Sequence, residues 1–213
     1  IAAISSLYFV NIRVIQANTR LIAAMRSCSS AQTISSQPFE QAIALDQTTA
    51  NQEIREQLYA CATNVIRSNL SVEKKTEFYD LATVETNKQI TSTPKDARPY
   101  IIAGSFYNSI GDFATSGPFL EKAVELSPNK QTIAFELVNN YINSNKVKEA
   151  VVLMEKAYSS APENPNAKMA YISTLVYAGE EKKAREIAGT DVALIAQVDA
   201  ILKQMKENKV LPK

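Results

Sequence analysis

Apolar residues recur at helical spacing along most of the chain, which predicts an all-α fold. Positions 1–25 read as one long helix, with Ile4, Tyr8, Ile12, Ile15, Thr19 and Ile22 in a single register. Positions 26–38 are serine-rich and read as a loop. A short helix follows over 39–45, and a longer one over 50–69 turns Ile54, Leu58, Cys61, Val65 and Ile66 inward. Ser71 is placed to cap the next helix, with Glu73 in its first turn. That helix carries Phe78, Leu81 and Ala82 to an end near Ile90, with Pro94 at its exit. At the other end of the chain, Leu194, Ile195, Val198, Ile201, Leu202 and Met205 form one apolar stripe. It predicts a last helix, capped by Thr190 or Asp191 and running to about position 208.

Between these lies a repeat. Residues 97–130 and 131–164 share a period of 34, fixed by Pro128 and Pro162. Tyr107 and Tyr141, Ser116 and Ala150, Leu120 and Met154, and Ala123 and Ala157 all fall 34 apart. A fixed period with this alternation of small and large residues marks a solenoid of two-helix units. Small residues let antiparallel helices approach, large ones fill the space between them, and proline ends the second helix. Gly111 and Asn145 fall at the turns within the units, where a left-handed backbone suits them.

The pattern resembles the tetratricopeptide repeat family, which asks for a small residue at position 8, an aromatic at 11, small residues at 20 and 27, a large one at 24 and proline at 32. The first unit supplies Gly104, Tyr107, Ser116, Ala123, Leu120 and Pro128. The second departs only at position 8, where Val138 stands. Phe39 and Ala42 match positions 24 and 27 of an earlier unit, and a third clear unit starts at Pro165 with Gly179 at its turn. The resemblance implies an all-α, helical-hairpin solenoid of about four to five pairs, with a long apolar N-terminal helix and a C-terminal capping helix. The chain then divides into an N-terminal helix over 1–26, irregular units over 27–96, units over 97–130, 131–164 and 165–189, and a capping helix and tail over 190–213.

The resemblance also implies a concave face lined by the first helix of each unit. By position, that face presents Ile101, Phe135 and Met169 as a row, with Ser105, Asn139 and Ser173 beside them and Asn108, Asn143 and Tyr177 extending it. Such a row suits an extended or helical peptide. Family members that clamp a C-terminal carboxylate use lysines where Ile101, Phe135 and Met169 stand, so that clamp is not expected here.

Composition narrows the chemistry. The chain has 213 residues, 46% of them apolar, which is enough for a core, and a net charge of +1, so no strong field selects nucleic acid or a membrane. It has no histidine, which removes the commonest general base and metal ligand. No glycine-rich phosphate loop appears, and the carboxylates fall on faces expected to be solvated. No enzyme activity, cofactor or metal is expected. Cys28 and Cys61 are too far apart for a CxxC motif. They lie on neighbouring predicted first helices, so either a disulfide or two reduced, buried thiols fits, the latter being the plainer expectation.

The N-terminal stretch 1–10, IAAISSLYFV, is apolar and uncharged but too short to span a bilayer alone. Two readings stand: the end of a transmembrane helix, or a buried first helix. Arg13, Arg20 and Arg26 follow with no acid before Glu40, a basic flank of the cytoplasmic kind. The order of apolar helix end, YFVNIRVIQAN, serine-rich loop and repeats resembles the soluble C-terminal part of O-antigen ligase or polymerase-like bacterial membrane proteins. That resemblance implies glycan-transferring residues elsewhere in a longer protein and a location at, or release from, the bacterial membrane. Two functions follow. One is a processed, non-catalytic fragment that self-assembles into oligomers or filaments through Ile1, Ile4, Leu7, Tyr8, Phe9 and Ile12. The other is an adaptor that holds a partner peptide beside a glycan-assembly enzyme.

Overall fold

The computed structural model describes residues 12–30, 33–45 and 51–207. The chain divides into two compact units, Ile1–Pro94 and Lys95–Lys213. All regular structure among the described residues is helical.

In the first unit, α1 (Arg13–Cys28) packs on α2 (Gln37–Leu45), and α3 (Asn51–Arg67) packs on α4 (Val72–Ser92). The predicted loop is shorter than expected, because α1 runs on through Cys28 and α2 begins at Gln37. The 1–11 part of the long predicted helix lies outside the described residues. The face of α1 differs from the expected one. Ala17, Leu21 and Ala24 are buried, whereas Ile12, Ile15 and Ile22 are exposed. Close helix approach selects the small alanines for the inner face, as in the repeats, and leaves the branched isoleucines outside.

The first-unit core gathers Phe39 and Ala42 from α2, Ile54, Leu58, Ala62 and Val65 from α3, and Phe78 and Ala82 from α4. The Ser71 hydroxyl accepts from the Lys74 amide at 3.4 Å, as an N-cap should. Cys28 and Cys61 are joined as a disulfide, with Cα atoms 5.9 Å apart. This corrects the expectation of reduced thiols. The contact of α1 with α3 brings two chain-distant cysteines within bonding reach, which no sequence spacing encodes.

One carboxylate departs from the expected solvated faces. Glu85 is 2% exposed, and Arg55 donates to its Oε2 from Nε at 3.0 Å and from Nη2 at 2.9 Å. Lys88 Nζ reaches Oε1 at 2.7 Å. Beside this group, Tyr59 and Thr86 share a buried hydroxyl–hydroxyl bond of 3.0 Å.

The second unit is the regular one. Its hairpins are α5 (Ala97–Ser109) with α6 (Phe113–Leu126), α7 (Gln131–Asn143) with α8 (Val147–Ser160), and α9 (Pro165–Tyr177) with the short α10 (Glu181–Ala188). The three turns are alike. Gly111, Asn145 and Gly179, each 34 residues from the next, have φ of 82°, 61° and 77°. Around them, Asp112 N donates to Tyr107 O at 2.9 Å, Lys146 N to Tyr141 O at 2.7 Å, and Glu180 N to Leu175 O at 2.8 Å. These bonds close the helix ends as Schellman motifs, which need the left-handed residue just after the helix.

Between hairpins, side chains fasten one repeat to the next. The Asn140 amide, 1% exposed, donates to Asn108 Oδ1 at 3.0 Å and to Phe113 O at 2.9 Å. Asn108 in turn donates to Glu136 O at 3.1 Å. After α10, a final helix α11 (Val192–Glu207) packs on α9 and α10. It buries Val198 and Met205, with Leu194, Ile195, Ile201 and Leu202 partly covered. It takes the place a next first helix would hold, and so covers the stacking face of the last hairpin.

Candidate protein-interaction surface

The first helices of the second unit, α5, α7 and α9, lie side by side, each touching the next. This arrangement follows from the buried faces. Ala103 and Tyr107 of α5, Ile133 and Leu137 of α7, and Ile172 and Leu175 of α9 point into the unit's interior and leave the opposite helix faces outward.

The predicted groove residues occupy several environments along that row. Asn139 and Asn143 are exposed, and the Asn143 amide donates to Asn139 Oδ1 at 3.0 Å and to its carbonyl at 2.8 Å. Met169 is 39% exposed. Ile101 and Ser105 are half-buried. Phe135 and Tyr177 are half-buried against the core of the unit. Ser173 accepts from Gln197 Nε2 of α11 at 2.7 Å, so the final helix engages it. Asn108 is 7% exposed and belongs to the tie between α5 and α7. Its sequence position matched the row, but its amide is turned onto the neighbouring helix, whose backbone carbonyl needs a donor.

Of the predicted self-association residues, Ile12 is 40% exposed. Ile1, Ile4, Leu7, Tyr8 and Phe9 lie outside the described residues, as does the proposed end of a transmembrane span. Among the described residues, no helix is long and apolar enough to cross a membrane, and no group of side chains is arranged to hold a metal.

Sequence reading missed a second surface, on the side of the second helices. An open pocket of about 590 Å³ lies between α6 and α8 over Leu137 and Tyr141 of α7, with Val124, Val152 and Leu153 on its walls. Tyr141 Oη donates to Glu121 Oε1 at 3.2 Å, and Lys146 Nζ stands 5.4 Å from the tyrosine ring centroid. Burial, followed by the charge and hydrogen bond of Glu121 and the charge of Glu149, pushes the Tyr141 phenol up to about 12.

The same device recurs one repeat on. Tyr171 Oη donates to Glu155 Oε1 at 2.9 Å, and Lys183 Nζ reaches that oxygen at 3.1 Å. Hydrogen bonds from Lys183 and Tyr171 hold the Glu155 carboxyl below its ordinary range. Glu121 and Glu155 are 34 residues apart, but their tyrosines are 30 apart, one helical turn out of register. That offset hid the recurrence from a search at a fixed period. In chemical terms, both groups fasten neighbouring helices. Neither places a nucleophile beside a base.

A family profile described as a tetratricopeptide repeat matches residues 97–130. A comparison with curated proteins finds no match. Among solved structures, the chain is similar to MamA MSR-1 C2 at 13% identity, covering 94% of this chain and 98% of that one, with a TM-score of 0.49. It is also similar to a MamA point mutant at 13% identity, covering 88% of this chain and 98% of that one, with a TM-score of 0.46.

Proposed function

We propose that this chain is a non-catalytic scaffold that holds a segment of a partner protein on the face formed by α5, α7 and α9. One observation carries the reading: three first helices lie side by side, with Asn139 and Asn143 exposed and Phe135 half-buried on α7 and apolar Met169 exposed on α9. Exposed amides supply hydrogen-bond partners for a peptide backbone, and the apolar side chains supply anchor sites. The chain has no histidine, and the buried carboxylate of Glu85 is neutralised by Arg55 and Lys88. Both facts favour a scaffold over an enzyme.

The finer reading is an adaptor beside a membrane glycan-assembly enzyme. It rests on the N-terminal stretch YFVNIRVIQAN and its likeness to O-antigen ligase-like proteins. The Cys28–Cys61 disulfide supports an oxidising compartment for the repeats.

Selection of peptides from a displayed library against the purified chain tests the reading. Binding of the selected peptides should fall at least about tenfold with Met169→Glu or Asn139→Lys, a loss the size of one anchor contact. It should be unchanged with Val152→Glu on the second-helix side. Equal loss with Val152→Glu, or no loss with the first pair, contradicts it. Light scattering of the same samples reads out self-association, the other use the sequence suggests.

A further inference from the structure

Successive first helices are joined differently in the two units. In the second unit, α5 is tied to α7 by amides: Asn140 donates to Asn108 Oδ1 at 3.0 Å, and Asn108 donates to Glu136 O at 3.1 Å. In the first unit, the tie from α1 to α3 is the Cys28–Cys61 bond. The two ties span a similar length of chain, 32 residues between the asparagines and 33 between the cysteines. Folding alone makes the amide tie. The sulfur tie is made and unmade by electron transfer, so the first unit holds a joint that chemistry can open.

Packing beside this joint is incomplete. An open cleft of about 170 Å³ lies between the first hairpin and α3, lined by Met25 and Cys28 of α1, Phe39 of α2, and Gln57 and Cys61 of α3. The walls of a cleft do not touch each other, so direct contact contributes less to the hold there. Where α2 begins, the Ser36 amide donates to Glu77 Oε1 of α4 at 2.8 Å. The α3–α4 hairpin has its own ties, from Arg55 to Glu85 and between Tyr59 and Thr86, and neither involves sulfur. The two sulfur-bearing residues also differ in access. Cys61 is 4% exposed, whereas Cys28, the last residue of α1, is half-buried. Exchange proceeds at the sulfur that an incoming thiolate can reach.

We infer that the Cys28–Cys61 bond is a redox latch: a dithiol reductant opens it at Cys28 and frees the α1–α2 hairpin from α3, while the α3–α4 hairpin stays folded. First, a thiolate of the reductant bonds to Cys28 Sγ, and Cys61 leaves as a thiolate that takes a proton from water. The reductant's second thiol then loses its proton and bonds to the reductant's first sulfur. Cys28 leaves in turn as a thiolate and is protonated. The dithiol is oxidised to a disulfide by two electrons, and the chain is reduced to two thiols. The latch lies wholly in the first unit and does not depend on what the face of α5, α7 and α9 holds.

The test is hydrogen exchange read by mass spectrometry on the full chain, oxidised and after treatment with dithiothreitol. On reduction, exchange in α1 and α2 should speed up by about thirtyfold or more, the usual effect of losing a cross-link over such a separation. Exchange in α4 should keep its former rate. The double variant Cys28→Ser with Cys61→Ser should match the reduced chain and ignore the dithiol. Brief treatment with a monothiol, followed by alkylation and peptide mapping, should place the mixed disulfide on Cys28. Unchanged exchange in α1 and α2 overturns the latch, because packing would then hold the hairpin alone. Equal acceleration in α4 also overturns it, because the bond would then support the whole unit. A mixed disulfide on Cys61, or a bond that yields only after urea unfolds the chain, overturns the route through Cys28.

Discussion

Gly104 and Leu120 face each other so closely that a β-carbon on Gly104 would lie 2.4 Å from Leu120 Cγ. Ser116 closes the same contact by donating from Oγ to Gly104 O at 2.8 Å. The equivalent positions of the later repeats hold Val138 with Met154 and Ile172 with Ala188, all buried. Size moves from one partner to the other while the space between the hairpin helices stays filled. The departure at Val138 is thus matched by an unbranched, adaptable methionine.

Gly104→Ala should destabilise the second unit by about 1–3 kcal/mol, the usual range for overpacking a filled core. Leu120→Met, copying the second repeat, should recover part of that loss in the double variant. Urea denaturation of the two single variants and the double gives the coupling. Strict additivity would show that the two side chains do not share the space.

Asn140→Ala should cost about 1–3 kcal/mol, because it leaves buried acceptors on Asn108 and Phe113 without their donor. Thermal unfolding followed by circular dichroism measures it. A change within error would mean that water replaces the amide at no cost.

Loss of the Cys28–Cys61 bond should lower the stability of the first unit by about 2–4 kcal/mol, since it closes a separation of 33 residues. Cys61→Ala, compared with wild type with and without reductant, should show the shift in the wild type only. An equal midpoint for oxidised and reduced wild type would count against the bond.

Tyr141 should titrate near pH 12, two units above its ordinary value of 10.0. A phenol whose folded pKa is raised adds stability that is fully present below the unfolded value and is lost as pH climbs through the folded one. The second unit should therefore weaken between pH 10 and 12. Glu121→Gln should bring the titration down toward 10 while burial still holds it above that value. The ultraviolet absorbance of tyrosinate in the variant and the wild type checks both statements. A titration unmoved by Glu121→Gln would remove the carboxylate from the account.

The second unit was largely legible in the sequence because its constraints are local. Proline, glycine or asparagine at a left-handed turn, and paired small and large residues all act within one hairpin, and they repeat. The first unit was less so. In α1 the isoleucines suggested the inner face, but the contact distance to α2 favoured the alanines. The disulfide, the buried Glu85 with Arg55, and the tie between Asn108 and Asn140 all join helices whose approach no local spacing records. On the candidate face, sequence position alone did not distinguish Asn139, turned outward, from Asn108, turned onto the next helix.

The most direct test of the scaffold reading places a photo-crosslinking residue at position 139 on the first-helix face or at position 152 on the second-helix side. Each version is irradiated with a peptide selected against the wild-type chain. The account predicts crosslinking from position 139, competed away by excess unlabelled peptide, and none above background from position 152. Crosslinking from position 152 alone would move the binding site to the pocket over Tyr141 and contradict the central claim.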